Sequence, residues 1–178
     1  MSKKLIFICG PNGVGKSSTC RELVNCLEES AYVDSDLCNL RNPFIHTEGI
    51  DIGRQLMQFM LTKYLECSTY NNVIWSYGFH GHRKDSFDKI MIELRKLDVD
   101  FEFMPIILTC DLDENINRMN NDNRDDARIE RAIGNTREIY NDYPFPIINT
   151  TNMTLKEVVN ELKKMITNNQ IILDEKLL

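Results

Sequence analysis

Five short apolar runs, separated by stretches with helical periodicity, constrain this 178-residue chain more than any other feature. The runs are LIFIC at 5–9, AYV at 31–33, VIW at 73–75, FEFMPIIL at 101–108 and PII at 146–148. Each is rich in Ile, Val, Leu or aromatic residues and is too short for a helix, as strands buried on both faces would be. Between them apolar residues recur at helical spacing: Cys20, Leu23, Val24 and Leu27; Ile52, Leu56, Phe59 and Met60; Phe87, Ile90, Met91 and Leu94; Leu155, Val158, Val159 and Leu162. Each set predicts one apolar stripe laid on a sheet. Thr154 with Glu157 has the spacing of a capping box, and Asp111 with Glu114 offers a similar helix start. Strands alternating with helices imply an α/β fold, a five-stranded parallel sheet in a three-layer α/β/α arrangement. With no repeat or linker in the pattern, 1–178 reads as a single domain.

The first strand runs straight into Gly10-Pro11-Asn12-Gly13-Val14-Gly15-Lys16-Ser17, followed by Ser18 and the first helical stripe. This is the G-x-x-x-x-G-K-[ST] spacing of a P-loop, in the strand-then-helix setting the motif requires. The physical reason is specific. Glycines let the loop wind so that its backbone N–H groups converge on phosphate oxygens, and a helix N-terminus adds partial positive charge. Lys16 would reach the β- and γ-phosphates of ATP, and the Ser17 hydroxyl would sit on Mg²⁺.

Other residues bear on what such a loop would serve. Asp34 and Asp36, in YVDSDL, fall at the end of the second strand, the edge of a parallel sheet where ligands bind. One can face the metal's water shell and the other an incoming hydroxyl as general base; the alternative is a cap or a pair of solvated loop charges. Arg124, Arg128 and Arg131 share a helical face, from which a guanidinium could stabilise the charge of a transferring phosphoryl group. The interleaved Asp125, Asp126 and Glu130 allow a plain surface reading instead. Arg54 either holds an anionic acceptor or lies on a helix surface. His80 and His82, with Arg83 beside them, suit the lining of an acceptor cleft or an exposed loop better than a metal centre, since two imidazoles lack a third ligand. Asp111 reads better as a helix N-cap than as a Walker-B acid.

Together these stretches resemble the small P-loop kinases, the group of nucleoside monophosphate, shikimate and gluconate kinases and chloramphenicol phosphotransferase, along with generic AAA-family ATPases. The resemblance rests on the P-loop, on DSD at the second strand, on LDENINRMNNDNRDDARIERA, and on PIINTTNMTLKEVVNELKKMI near the end. It implies that Arg118 lies against the adenine and that a short lid at about 119–128 carries Arg124 and Arg128 as catalytic arginines. The third strand departs from the shikimate kinase pattern: it ends in IWSYGFHGHR rather than a double glycine, and the lid has no Arg-Pro. The segment LRNPFIHT at 40–47 matches no acceptor signature.

Composition narrows the partners. A formal net charge of -6 argues against a grip on nucleic acid or an anionic membrane surface, and no stretch has the apolar length of a membrane span. The six cysteines form no C-x-x-C pair and read as reduced core thiols of a cytoplasmic protein. The expectation is an ATP- and Mg²⁺-dependent phosphotransferase, monomer or homodimer, acting on a small-molecule acceptor. Here Lys16 and Ser17 neutralise charge, Asp34 orders the metal's waters, Asp36 orients or deprotonates the acceptor, and Arg124 closes over the transfer. A regulatory NTPase or a non-catalytic nucleotide-binding module is the alternative.

Overall fold

In the computed structural model, which describes residues 2–40, 42, 47–134 and 137–168, strands and helices alternate along the chain. The order is β1 (Lys3–Cys9), α1 (Lys16–Cys26), β2 (Ser30–Asp34), α2 (Thr47–Glu66), β3 (Asn72–Ser76), α3 (Arg83–Leu94), β4 (Phe101–Thr109), α4 (Leu112–Asn121), α5 (Asp126–Ile133), β5 (Ile147–Asn149) and α6 (Leu155–Thr167). Short 3-10 turns sit at Leu37–Asn39 and Glu138–Asp142. The five strands form one sheet in the order β2-β3-β1-β4-β5, and every pair is parallel. Pro105 lies in β4 two residues before the pairing with β5 begins at Ile107, where a missing ladder donor is tolerated.

The period-two alternation of β1 divides the core. Leu5, Phe7 and Cys9 face one side with Val33, Val73 and Trp75, under Met57, Leu61 and Leu65 of α2 and Phe87, Ile90 and Leu94 of α3. Ile6 and Ile8 face the other side with Ile74, Met104, Ile106 and Leu108, under Cys20 and Leu23 of α1 and Val158, Val159 and Leu162 of α6. All of β1 from Leu5 to Cys9 is fully buried, and each such side chain contributes roughly 1.5–3 kcal/mol by leaving water. On the first side Phe7 sits 4.9 Å from both Trp75 and Phe87, an aromatic centre that pins β1 to β3 and α3. The sheet is therefore stiff where β1 delivers Gly10.

Four expectations are corrected. The buried stripe of α2 is Gly53, Met57, Leu61 and Leu65, whereas Ile52, Leu56 and Phe59 point to solvent. The helix is apolar on two faces, and periodicity alone picked the outer one. Leu155, at the first turn of α6, is likewise exposed. Asp111 stands at the N-cap of α4 but makes no side-chain cap hydrogen bond there; its backbone N–H donates to Thr151 Oγ1 at 2.8 Å. Only Cys9, Cys20 and Cys110 are core thiols, while Cys26 is exposed and Cys38 and Cys67 are half-buried; all six are free. By contrast Thr154 and Glu157 form the expected capping box. Most of the segment 40–47 and the residues 171–178 lie outside the described residues. So do the side chains of Arg128 and Arg131 on α5.

Candidate active site

The loop after β1 turns at Gly13 and Gly15, whose φ angles of 85° and 94° fall in the left-handed region that glycine adopts without strain. Gly15 is the N-cap of α1, which has no side-chain cap and no acidic residue in its first turn. Its leading N–H groups are thus open to an anion. A Cβ at Gly15 would meet no atom within 4 Å, so the protein leaves the space beside it empty. At Gly13 the reverse holds: a Cβ would come within 2.5 Å of Met119 Cγ and 2.6 Å of Asn115 Nδ2. Helix α4 presses directly on the tip of the loop.

That helix also grips the loop by its carbonyls. Asn115 Nδ2 donates to Asn12 O at 2.9 Å, and Arg118 Nη1 donates to Val14 O at 3.2 Å. Arg118 is itself fixed by Glu114 (2.7 Å), by Thr150 Oγ1 (2.9 Å) and by Thr150 O (2.8 Å). Asn115 is fully buried and accepts from Arg137 Nη1 at 2.7 Å, while Arg137 Nη2 donates to Cys110 O. Neither Asn115, Arg137 nor Thr150 was expected from the sequence. Asn115 had a visible signal: it lies four residues before Met119 on the buried face of α4, where an amide needs a partner.

Lys16 Nζ donates to Gly10 O (2.9 Å) and Pro11 O (2.8 Å), folded back over its own loop. Burial pulls its pKa down to about 8, partly offset by the nearby Asp36 carboxylate. A cavity of about 490 Å³ opens above, lined by Asn12, Gly13, Gly15, Lys16, Ser17 and Ser18 of the loop, by Asp36, and by Arg21, Arg118 and Arg124. Arg124 reaches it from the turn after α4, with Nη2 3.2 Å from Asp122 Oδ2. Of the expected site residues, Asn12, Gly13, Gly15, Lys16, Ser17, Ser18, Asp36, Arg118 and Arg124 line this cavity, whereas Gly10, Pro11, Val14 and Asp34 do not, and the side chain of Arg128 lies outside the described residues. Asp34, with a side chain only 3% exposed, does not line the cavity; it accepts the Asp36 N–H at 2.9 Å and lies 3.6 Å from Arg21. In the register of the sheet it stands beside Ser76, whose hydroxyl pairs with Tyr32 at 2.8 Å.

Asp36 begins the 3-10 turn after β2 and meets Arg83 Nη2 at 3.0 Å. Burial pushes its carboxyl upward, but the charge and hydrogen bond of Arg83, with Lys16 adding, outweigh that and hold it below the usual range. Arg83 stacks over the Tyr77 ring at 5.7 Å and lines a second, smaller cavity of about 110 Å³, with Asn39, Ile50, Met57, His80 and His82. Burial, then the cations Arg83 and Lys16, lowers His80 to about 4, so it is neutral near pH 7. Arg54 lines neither cavity. It is tied to Asp51 at 2.7 Å and Gln58 at 3.1 Å along α2, as a helix-surface arginine. No cluster of three or more His, Cys, Asp or Glu suited to a metal occurs among the described residues, and none of their helices is long and apolar enough to cross a membrane.

The site suits a phosphate ester better than a protein-ligated metal. Its donors are backbone N–H groups, cations and the hydroxyls of Ser17 and Ser18, and a hard divalent cation at Ser17 would take most of its oxygens from phosphate and water. Known proteins carry the same architecture. A family model for an AAA domain matches residues 6–141. No curated protein matches the sequence at a significant level. Among solved structures, shikimate kinase from Acinetobacter baumannii in complex with shikimate superposes with a TM-score of 0.63 at 14% identity, over 95% of this chain and 96% of that one. APS kinase from Mycobacterium tuberculosis in complex with AMPPNP and APS gives 0.62 at 14% identity, over 93% and 98%. A gluconokinase from Sinorhizobium meliloti 1021 gives 0.59 at 13%, over 94% and 95%. At these identities the likeness is one of fold.

Proposed function

Because the chain belongs to the AAA domain family, we propose that it is an ATP- and Mg²⁺-dependent kinase that moves the γ-phosphoryl group to a hydroxyl of a small molecule. The observation that carries this reading is the pair of cavities joined by one ion pair. Asp36 lines the cavity over the phosphate loop, and its partner Arg83 lines the smaller one. A hydrolase needs room for a water; a transferase needs a second compartment whose acid borders the first. ATP with Mg²⁺ supplies the activated phosphoryl group and part of the charge neutralisation.

The roles of the chain's own residues follow from their positions. Residues 12–18 bind phosphate through backbone N–H groups and the dipole of α1. Lys16 swings from the Gly10 and Pro11 carbonyls to the phosphate oxygens. Ser17 would offer its hydroxyl to the cation, and Asp34, which lies outside the cavity lining and orients Asp36 through its N–H, would act on the metal only through intervening water. Asp36, kept ionised by Arg83, accepts the acceptor's hydroxyl proton or fixes its direction. Arg118, in the wall of the same cavity, would lie against the base, and Arg124 would cover the open side and exclude water.

The test is an ATP-consumption screen against uncharged, anionic and aminated hydroxyl compounds, nucleosides and nucleotides included, with mass detection of a phosphorylated product. A product of mass 80 Da above the acceptor, lost in Lys16→Ala, is the expected result. ATP hydrolysis that no acceptor accelerates would overturn the reading. The compartment, the substrate and the single-domain organisation belong to this proposal as well: a small soluble enzyme of one P-loop kinase unit.

A further inference from the structure

The outer face of α2 is unexplained by the site. Ile52, Leu56 and Phe59 are 56%, 48% and 62% exposed, on three successive turns of one stripe. Among the described residues, the other large exposed hydrophobics are scattered over five other segments, none carrying three. The stripe is bounded by charge of opposite sign at its two ends. Glu48, in the first turn, is exposed and has no ion-pair partner among the described residues. Lys63, in the last turn, is exposed and held by Glu66 at 2.8 Å, leaving donors of its ammonium free for a second acid.

We propose that this face is where a second copy of the chain docks, with the two α2 helices antiparallel about a two-fold axis beside Gln55 and Leu56. That axis puts Glu48 opposite the partner's Lys63, Ile52 opposite the partner's Phe59, and Leu56 against the partner's Leu56. A two-fold interface must be self-complementary, and a stripe with an acid at one end, a base at the other and apolar residues between meets that requirement. A parallel pairing would set acid on acid and base on base, at a cost. An unrelated partner would have no reason to match this symmetric spacing. The interface is small, so the dimer is concentration-dependent rather than obligate. It would also stiffen α2 as a whole, whose Ile50 and Met57 wall the smaller cavity.

The experiment is sedimentation of the full chain from about 1 to about 100 µM. A reversible monomer–dimer equilibrium is expected, weakened about tenfold or more by Phe59→Glu, with the melting temperature of the dilute monomer unchanged because the side chain is already exposed. Two single variants fix the register. E48K and K63E should each self-associate poorly, yet mixed together they should form a heterodimer, since both ends then pair opposite charges. A wild-type chain that stays monomeric throughout, a dimer that survives Phe59→Glu, or a mixture that fails to associate would overturn the proposal. A monomeric wild type destabilised by Phe59→Glu would overturn it too, and would show that this chain's own residues cover the face.

Discussion

Arg83 Nη2 lies 3.0 Å from Asp36 Oδ1, a contact between residues 47 apart in sequence that closes the gap between the end of β2 and the start of α3. Because Asp36 belongs to one cavity and Arg83 to the other, their substitutions should separate binding from transfer. Asp36→Asn keeps shape and removes charge, so ATP affinity should hold while acceptor phosphorylation falls roughly 10²- to 10⁴-fold. Arg83→Ala should raise the acceptor KM and lift the Asp36 pKa, seen as an alkaline shift of the acid limb of kcat/KM. Full phosphotransfer in Asp36→Asn would place the acceptor elsewhere.

Asp34→Asn should behave differently, because Asp34 is buried and does not line the cavity. It loses the acceptor for the Asp36 N–H only in part, since the amide oxygen remains. Its defect in turnover should be partly relieved by raised Mg²⁺, whereas the Asp36→Asn defect should not. Initial rates over a Mg²⁺ titration read the difference, and identical Mg²⁺-insensitive losses would leave no distinct role for Asp34.

Lys16 predicts two opposite pH dependences. Its pKa is lowered from 10.5 to about 8 in the folded chain, so between those values the unfolded chain binds more protons. The charged lysine therefore costs stability below about pH 8, and that cost is relieved as pH rises toward 10.5. Nucleotide binding needs the cation, so affinity should be flat below about pH 8 and fall above it, with proton uptake on binding. Calorimetry in buffers of different ionisation heat measures that uptake. Lys16→Met should abolish both trends, and turnover should drop on the order of a hundredfold or more.

His80, lowered to about 4, should show no change in its ring proton shifts between pH 5.5 and 8. The folded chain binds fewer protons there than the unfolded chain, so this group favours stability increasingly as pH rises from about 4 to 6.5. An NMR titration with a midpoint near 6.5 would contradict the burial that produces the shift.

Asn115→Ala removes the donor to Asn12 O and the acceptor of Arg137 at once. Leaving such groups unpaired costs about 1–3 kcal/mol, roughly 2–12 °C in melting temperature for a domain of this size. Nucleotide affinity should fall with it, although Asn115 does not line the cavity. Thermal melts with and without an ATP analogue separate the two effects, and an unaltered affinity would reduce Asn115 to a structural amide.

Much of this fold was legible because strands buried on both faces read as unbroken apolar runs: each of the five runs falls in or overlaps a strand, and Thr154 capped α6 as its spacing required. The phosphate loop was legible for the same local reason, a motif whose residues are contiguous. Failures came where a side chain's role depends on distant partners. Ile52, Leu56 and Phe59 have the period of a core stripe, but which of two apolar faces of α2 meets the sheet is decided by packing. Arg118, Thr150 and Asn12 come from three parts of the chain, and Arg137 acts on the loop only through Asn115, so no spacing announces it. Only geometry pairs Arg54 along its own helix and Arg83 across the site.

The carbonyl oxygens of the loop decide which sign of charge the cavity prefers. Asn12 O and Val14 O are held by α4, and Gly15 O by the Thr19 N–H. With their negative ends engaged outward, the peptide dipoles turn their positive ends inward. Were α4 to withdraw, Asn12 and Val14 would be free to rotate, and a peptide flip at either would present an oxygen to an arriving phosphate. Selectivity for anions is in this sense conferred from outside the loop, by a helix that need not touch the ligand at Asn115 to set its polarity.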